Sequence, residues 1–227
     1  MFIYNERTSF RPPPSGPFLG YYASLGGSLE KNYATNNTLF TDITNISLTA
    51  PDLKLPPRTA VYAGLERRLA VGDRFLVGLG LDAEVFKDRS IPFTYTSSDG
   101  YTAFPFTAST KNIYNAWISL VYQDTLVYGI LGASRVNVTM GSDNFIQDPG
   151  NFNAGSVWVN EIVHGVLYGA GVERVLSPNA RGFLELTETK YARASGKGKP
   201  SLAFNTGTYA TNLSNLTLTA GIRYKLN

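Results

Sequence analysis

One histidine, His164, and no cysteine stand in a chain of 227 residues. A thiol nucleophile, a disulfide and a thiolate zinc site are therefore excluded, and so is a multi-histidine metal site within one chain. His164 is the one obvious general base, but Val166 stands two positions on and no His-x-Ser occurs anywhere. A base without a placed nucleophile is not a catalytic site, so no enzyme, cofactor or metal is expected. The other chemistry-bearing groups are Glu66, Arg68, Asp82, Glu84, Arg135, Glu161, Glu173 and Arg223. Mixed signs at one or two per segment suit an ion-paired interior, because an unpaired buried charge bears its full desolvation cost. Such a set either pairs into a plug or lines a narrow conduit.

The elements that must position these groups are strands. Charged residues make up 16% of the chain, against about 25% in an ordinary soluble domain. Gly (22), Tyr (14) and Phe (13) are abundant, and hydrophobic residues reach 43% at a mean hydropathy of −0.09. That mixture favours strands and turns. No apolar run approaches the roughly 18 residues of a transmembrane helix. The net charge of +3 is scattered, which does not suit a nucleic-acid partner.

Eight segments alternate with period two. One face is aliphatic plus Tyr: Leu25 and Leu29, then Leu65 and Leu69, Leu79 and Leu81, Ile118 and Leu120, Tyr128, Ile130, Val136 and Val138, Val166 and Val172, Leu184 and Leu186, Leu218 and Ile222. The opposite face is Gly, small polar residues and the charges. In the fifth segment that places Arg135 and Asn137 opposite Tyr128 and Val136. The seventh, 181–193, is the least regular, with Phe183, Glu188 and Lys190 on the wrong faces. The second segment also tolerates a helical reading.

Connections strictly alternate in length. Turns follow segments two, four and six, at Gly72-Asp73, Asp124-Thr125 and Ser177-Pro178-Asn179; roughly 31–57, 88–111, 140–156 and 194–212 read as long polar loops. A meander with turns at one end and loops at the other does this, as transmembrane barrels do. A soluble barrel would bury the aliphatic face, yet the Gly residues lie on the charged face, where closing strands crowd a narrow interior. Tyr21, Phe75, Tyr114, Tyr122, Tyr128, Trp158, Tyr168 and Tyr224 fall on the aliphatic face, as interfacial girdles require. The expected fold is all-β: an eight-stranded antiparallel up-and-down transmembrane β-barrel over 18–227, behind an extended periplasmic leader, 1–17. The first residues do not form a signal peptide, and a mature chain with a starting Met is the expectation.

Tyr168-Gly169-Ala170-Gly171-Val172-Glu173, Leu176-Ser177-Pro178-Asn179 and the closing Ala220-Gly221-Ile222-Arg223-Tyr224-Lys225-Leu226 resemble the last two hairpins of the small OmpA/OmpX-like outer-membrane barrels. Through the strand pattern the resemblance extends over 18–226. It departs at the end, Leu226-Asn227, where family members usually carry an aromatic. The resemblance implies a Gram-negative outer membrane, periplasmic turns and extracellular loops. Some outer-membrane lipid A deacylases of similar size carry a lipid-facing His with a Ser two residues on; here Val166 takes the Ser position, and an interfacial His164 meeting headgroups is the alternative.

The loops hold the remaining candidates. Phe93, Tyr95, Tyr101, Phe104 and Phe106 either bind a partner or hydrophobic ligand, or pack into a cap. Lys190, Arg193, Lys197 and Lys199 form a basic run that either touches lipopolysaccharide phosphates or is solvated. The expected partners are outer-membrane lipid and lipopolysaccharide, with an extracellular protein or host ligand at the loops, and the chain is expected to be a monomer. The leading function is a structural or surface-interaction (adhesion-like) role. A narrow channel or uptake port for small or hydrophobic solutes, porin-like in kind, is the alternative, and a lipid A-modifying enzyme the third.

Overall fold

The computed structural model describes residues 16–41, 46–50, 53–54, 57–71, 75–85, 89–97, 100–122, 124–142, 157–197 and 207–226. After a single 3-10 turn, Gly16–Phe18, twelve strands follow: β1 (Gly20–Thr41), β2 (Ile46–Ala50), β3 (Leu53–Lys54), β4 (Arg58–Ala70), β5 (Phe75–Glu84), β6 (Arg89–Ser97), β7 (Gly100–Tyr122), β8 (Thr125–Ser142), β9 (Val157–Val175), β10 (Ala180–Tyr191), β11 (Ala194–Lys197) and β12 (Gly207–Leu226). Gly20 joins the turn to β1 at φ +116°, a conformation open to glycine and rare for other residues.

Eight of these strands form a closed antiparallel ring, β1-β4-β5-β7-β8-β9-β10-β12. β12 returns to β1 from Tyr21↔Leu226 to Thr41↔Gly207. Closure leaves no open edge in the wall, the condition for a sheet in hydrocarbon. The second segment is a strand, β4, paired on both sides.

The four remaining strands correct the loop expectation. β2 and β3 fold back on the upper half of β1, β6 pairs with the start of β7, and β11 pairs with β12. Much of 31–57, 88–111 and 194–212 is therefore strand that prolongs the wall. Their Thr, Tyr and Phe suit strands, but beyond a bilayer neither face needs to be apolar, so the period-two signal fades.

The aliphatic face is outside. Leu25, Leu65, Leu79, Leu131 and Ile118 are exposed, while Tyr22, Glu30, Arg68 and Glu173 are buried. On β1 the apolar stretch runs from Tyr21 to Lys31, and on β9 from Arg174 to His164, the end residues all exposed. Ten steps span about 33 Å of strand, or about 25 Å of height at a tilt near 40°. That matches the apolar band of outer-membrane barrels.

One strand inverts the expected parity. In β8, Tyr128, Ile130, Val136 and Val138 are buried in the lumen, whereas Val127 and Leu131 face out. Apolar residues occupy both faces here, so alternation alone was ambiguous. Tyr128 therefore leaves the outer girdle. Arg135 lies on the outer wall and not in the lumen. In β10, Leu184 and Leu186 face out, Phe183 and Thr189 in, and Glu188 and Lys190 end the outer face.

Candidate functional site

The lumen fills in layers, beginning at the turn end. Phe18 is fully buried and packs with Leu76 and Leu126 into an apolar floor. Lys225 Nζ donates to the Gly16 carbonyl at 3.1 Å, tethering the entering chain. Arg181, also fully buried, donates to the Ser177 carbonyl at 2.7 Å, and its guanidinium lies 5.7 Å from the Phe18 ring centre. Its cation thus serves the carbonyls of the β9–β10 turn and backs the floor.

Above the floor, two arginines organise three glutamates. Arg68 makes two hydrogen bonds of 2.7 Å to Glu173 and pairs with Glu66, its guanidinium 4.2 Å from the Tyr22 ring centre. Arg223 pairs with Glu173 at 2.8 Å, with Glu66 at 3.1 Å and with Glu185, and donates to Tyr128 Oη at 2.8 Å. Tyr128 in turn donates to Glu185 at 2.7 Å. The Phe183 ring centre lies 4.1 Å from the Arg223 guanidinium. Charge-assisted, forked contacts of this kind are the strong ones.

Higher up, Arg58 pairs with Glu30 at 2.8 Å and with Glu84 at 2.9 Å. Tyr62 Oη and Asn215 Nδ2 also donate to Glu30. Between the two ionic layers lies a cavity lined by Asp82, Ser24, Ile130, Leu167 and Thr219. Ser24 Oγ donates to Asp82 at 3.3 Å.

Glycines make room for these layers. A Cβ at Gly64 would stand 1.9 Å from Asp82 Oδ1, and one at Gly171 would stand 2.5 Å from the Tyr128 ring. The lumen face carries Gly where a facing charged or aromatic side chain needs the volume.

The structure brings together Glu66, Arg68, Glu173 and Arg223, and it places Glu84 and Asp82 in the lumen above them. Two members of the expected set lie elsewhere. Arg135 is exposed, in register with His164 on the outer wall. Glu161 has inward parity but sits at the loop end, exposed, where it accepts the Ser195 N–H at 3.0 Å. Four participants were missing from that set: Glu30, Arg58, Glu185 and Arg181. Arg58 shares the even parity of Glu66 and Arg68 and stood one residue outside the expected segment. Glu185 was obscured by the irregular alternation around it.

Of the loop candidates, Lys190 and Arg193 are exposed side chains, whereas the aromatics and Lys197 are described only in their backbone. Phe93 pairs with Phe104, Ile91 with Phe106 and Thr96 with Tyr101 in the β6–β7 hairpin, where Tyr95 also stands, and Lys197 pairs with Thr208. Their side chains, those of Tyr114, Trp117, Tyr122 and Trp158, and all of Lys199 and residues 1–15 lie outside the described residues.

No protein-family model and no curated protein matches the chain. Among solved structures, it is similar to the outer membrane protein OprG from Pseudomonas aeruginosa, at 12% identity over 92% of this chain and 97% of that one, with a TM-score of 0.54. It also matches Ail, the attachment invasion locus protein of Yersinia pestis, in complex with the heparin analogue sucrose octasulfate (14% identity, 90% and 99% covered, TM-score 0.39). A third match is the outer membrane protease OmpT from Escherichia coli (12%, 91% and 96%, 0.44). The likeness to OprG, nearly end to end, together with the closed ring and the aliphatic exterior, gives the chain the fold of a bacterial outer-membrane β-barrel.

Proposed function

We propose that this chain is a sealed outer-membrane barrel that acts through its protruding loop-end wall as a structural or surface-interaction protein, without enzymatic activity. The observation that carries the reading is the bridge between Arg68 on β4 and Glu173 on β9, fully buried on both sides. These strands stand four apart in a ring of eight. The bridge therefore spans the lumen, and an apolar floor backs it. An eight-stranded barrel holds little besides its own side chains, and here those side chains are paired.

The protruding wall supplies the interaction surface. Strands of 18 to 23 residues, such as β7, β8 and β12, greatly exceed the roughly 9–11 needed to cross a bilayer. With the turns in the periplasm, the surplus stands outside the cell. The β6–β7 hairpin brings Phe93, Tyr95, Tyr101, Phe104 and Phe106 into that surplus, where an extracellular protein or host ligand would meet them.

Planar-bilayer recording with the purified, refolded chain tests the sealed lumen: the expected trace has no conductance steps. Steady ion-selective steps would replace this reading with that of a narrow channel through the cavity beside Asp82. Surface display followed by binding of the cells to host-cell layers tests the interaction role. It should depend on the β6–β7 aromatics, and binding indifferent to their replacement would overturn it.

A further inference from the structure

Towards the loop end of the outer wall, three consecutive strands carry basic or protonatable side chains that the lumen network does not use. Arg135 on β8 stands directly opposite His164 on β9. Lys190 on β10 is in register with Val166, one step diagonal to His164 on the same face. All three are exposed. Residues directly opposite have Cβ atoms about 5 Å apart and diagonal ones about 7–8 Å, so the three form one patch. Below it the wall is aliphatic, with Leu131 and Val166 both exposed.

Among the described residues neither Arg135 nor His164 makes a side-chain ion pair. Lys190 is only partly neutralised: its Nζ lies 3.7 Å from Glu188, with its side chain 64% exposed. Glu188 is also the acceptor of the Tyr168 hydroxyl at 2.6 Å, and Lys190 lies 5.6 Å from the Tyr168 ring centre. The tyrosine and glutamate thus orient the lysine along the wall.

We propose that Arg135, His164 and Lys190 form a binding site for the phosphate groups of a lipid A-type glycolipid in the outer leaflet. The proposal rests on the membrane orientation above, with the loop end outside. Height selects the ligand: the patch tops an apolar band, where acyl chains lie against Leu131 and Val166 and the headgroup phosphate meets the cations. Two such side chains with Cβ atoms about 5 Å apart, and a third on the diagonal, can converge on phosphate oxygens, which guanidinium binds in a forked geometry. At the turn end, Arg67 instead lies 5.4 Å from the Tyr21 ring centre, a cation stacked on an aromatic.

The test uses the full chain folded in detergent micelles, with titration of bisphosphorylated lipid A, dephosphorylated lipid A and phosphatidylglycerol. The wild type should prefer the bisphosphorylated lipid by at least about tenfold over both others. R135Q combined with K190Q should abolish the preference, and R67Q should keep it. All variants are checked for the folded, heat-modifiable gel band. Equal binding of the dephosphorylated lipid, or an unchanged preference in the double variant, overturns the site. Equal binding of phosphatidylglycerol overturns the choice of lipid A. A wild type that never folds in micelles instead sinks the membrane reading beneath it, so the two failures are distinguishable.

Discussion

Arg68 and Glu173 face each other across the diameter of the barrel, joined by two hydrogen bonds of 2.7 Å between side chains 105 positions apart in the chain. No local interaction can set that distance. It follows from the ring order, which places β4 and β9 opposite one another. The bridge ties two halves of the wall whose nearest hydrogen-bonded path runs through three other strands.

Removing one partner should therefore be costly. Arg68→Ala leaves Glu66 and Glu173 desolvated with one arginine fewer, and a loss of about 3–5 kcal/mol is expected for breaking a buried ionic cluster. Arg223→Ala should cost a similar amount, since Arg223 contacts Glu66, Glu173 and Glu185. Urea titration of the chain folded into lipid vesicles measures both. A loss below about 1 kcal/mol, the worth of an exposed pair, would contradict the buried network.

The outward face is tested by depth. Leu79→Arg and Leu131→Arg should each cost about 2–4 kcal/mol if these residues meet lipid near the midplane. The pair includes the strand whose parity the structure inverts. If Leu131→Arg is tolerated in the same vesicle titration, β8 faces the other way and Arg135 returns to the lumen.

Much of this was legible in the sequence, for a physical reason. The wall separates hydrocarbon from a crowded polar interior, so β1, β4, β5 and β12 alternate cleanly and declare their faces. β8 does not, because the lumen beside it is itself apolar, built from Ile130, Leu126 and Leu167, and both faces then read alike. The same ambiguity hid the inward Tyr128 and misplaced Arg135. Above the bilayer band neither face is constrained, so β2, β3, β6 and β11 left no period. Ion-pair partners such as Arg68 and Glu173 were nameable as charges on lumen faces, but which charge meets which depends on ring order and stagger, and no spacing along the chain encodes it.

Two glycines separate packing from backbone entropy. At Gly221 a Cβ would stand 2.3 Å from the Leu25 carbonyl oxygen and 2.5 Å from the Gly26 Cα, both backbone atoms. Gly221→Ala should therefore lower stability by about 1–3 kcal/mol through overpacking. Gly27 faces outward with nothing within 4 Å, so Gly27→Ala should be neutral or stabilise by about 0.5–1 kcal/mol. Equal effects in the two variants would mean that the lumen is looser than described.

The floor predicts a cavity. Phe18→Ala empties the space between Leu76 and Leu126 and should cost about 3–5 kcal/mol, seen as earlier unfolding in the same titration. Ionic current should stay absent, because the Arg68–Glu173 bridge remains above the missing ring. Current from this variant alone would assign the seal to Phe18 and not to the ion pairs.

Single-channel recording of the wild-type chain in a planar bilayer, alongside Glu173→Ala, addresses the sealed lumen most directly. The paired network predicts a flat trace for the wild type at every applied potential, with Glu173→Ala lowering stability before it opens any path. Stable wild-type conductance, with ion selectivity altered by Glu173→Ala at unchanged stability, would contradict it and make the lumen a conduit.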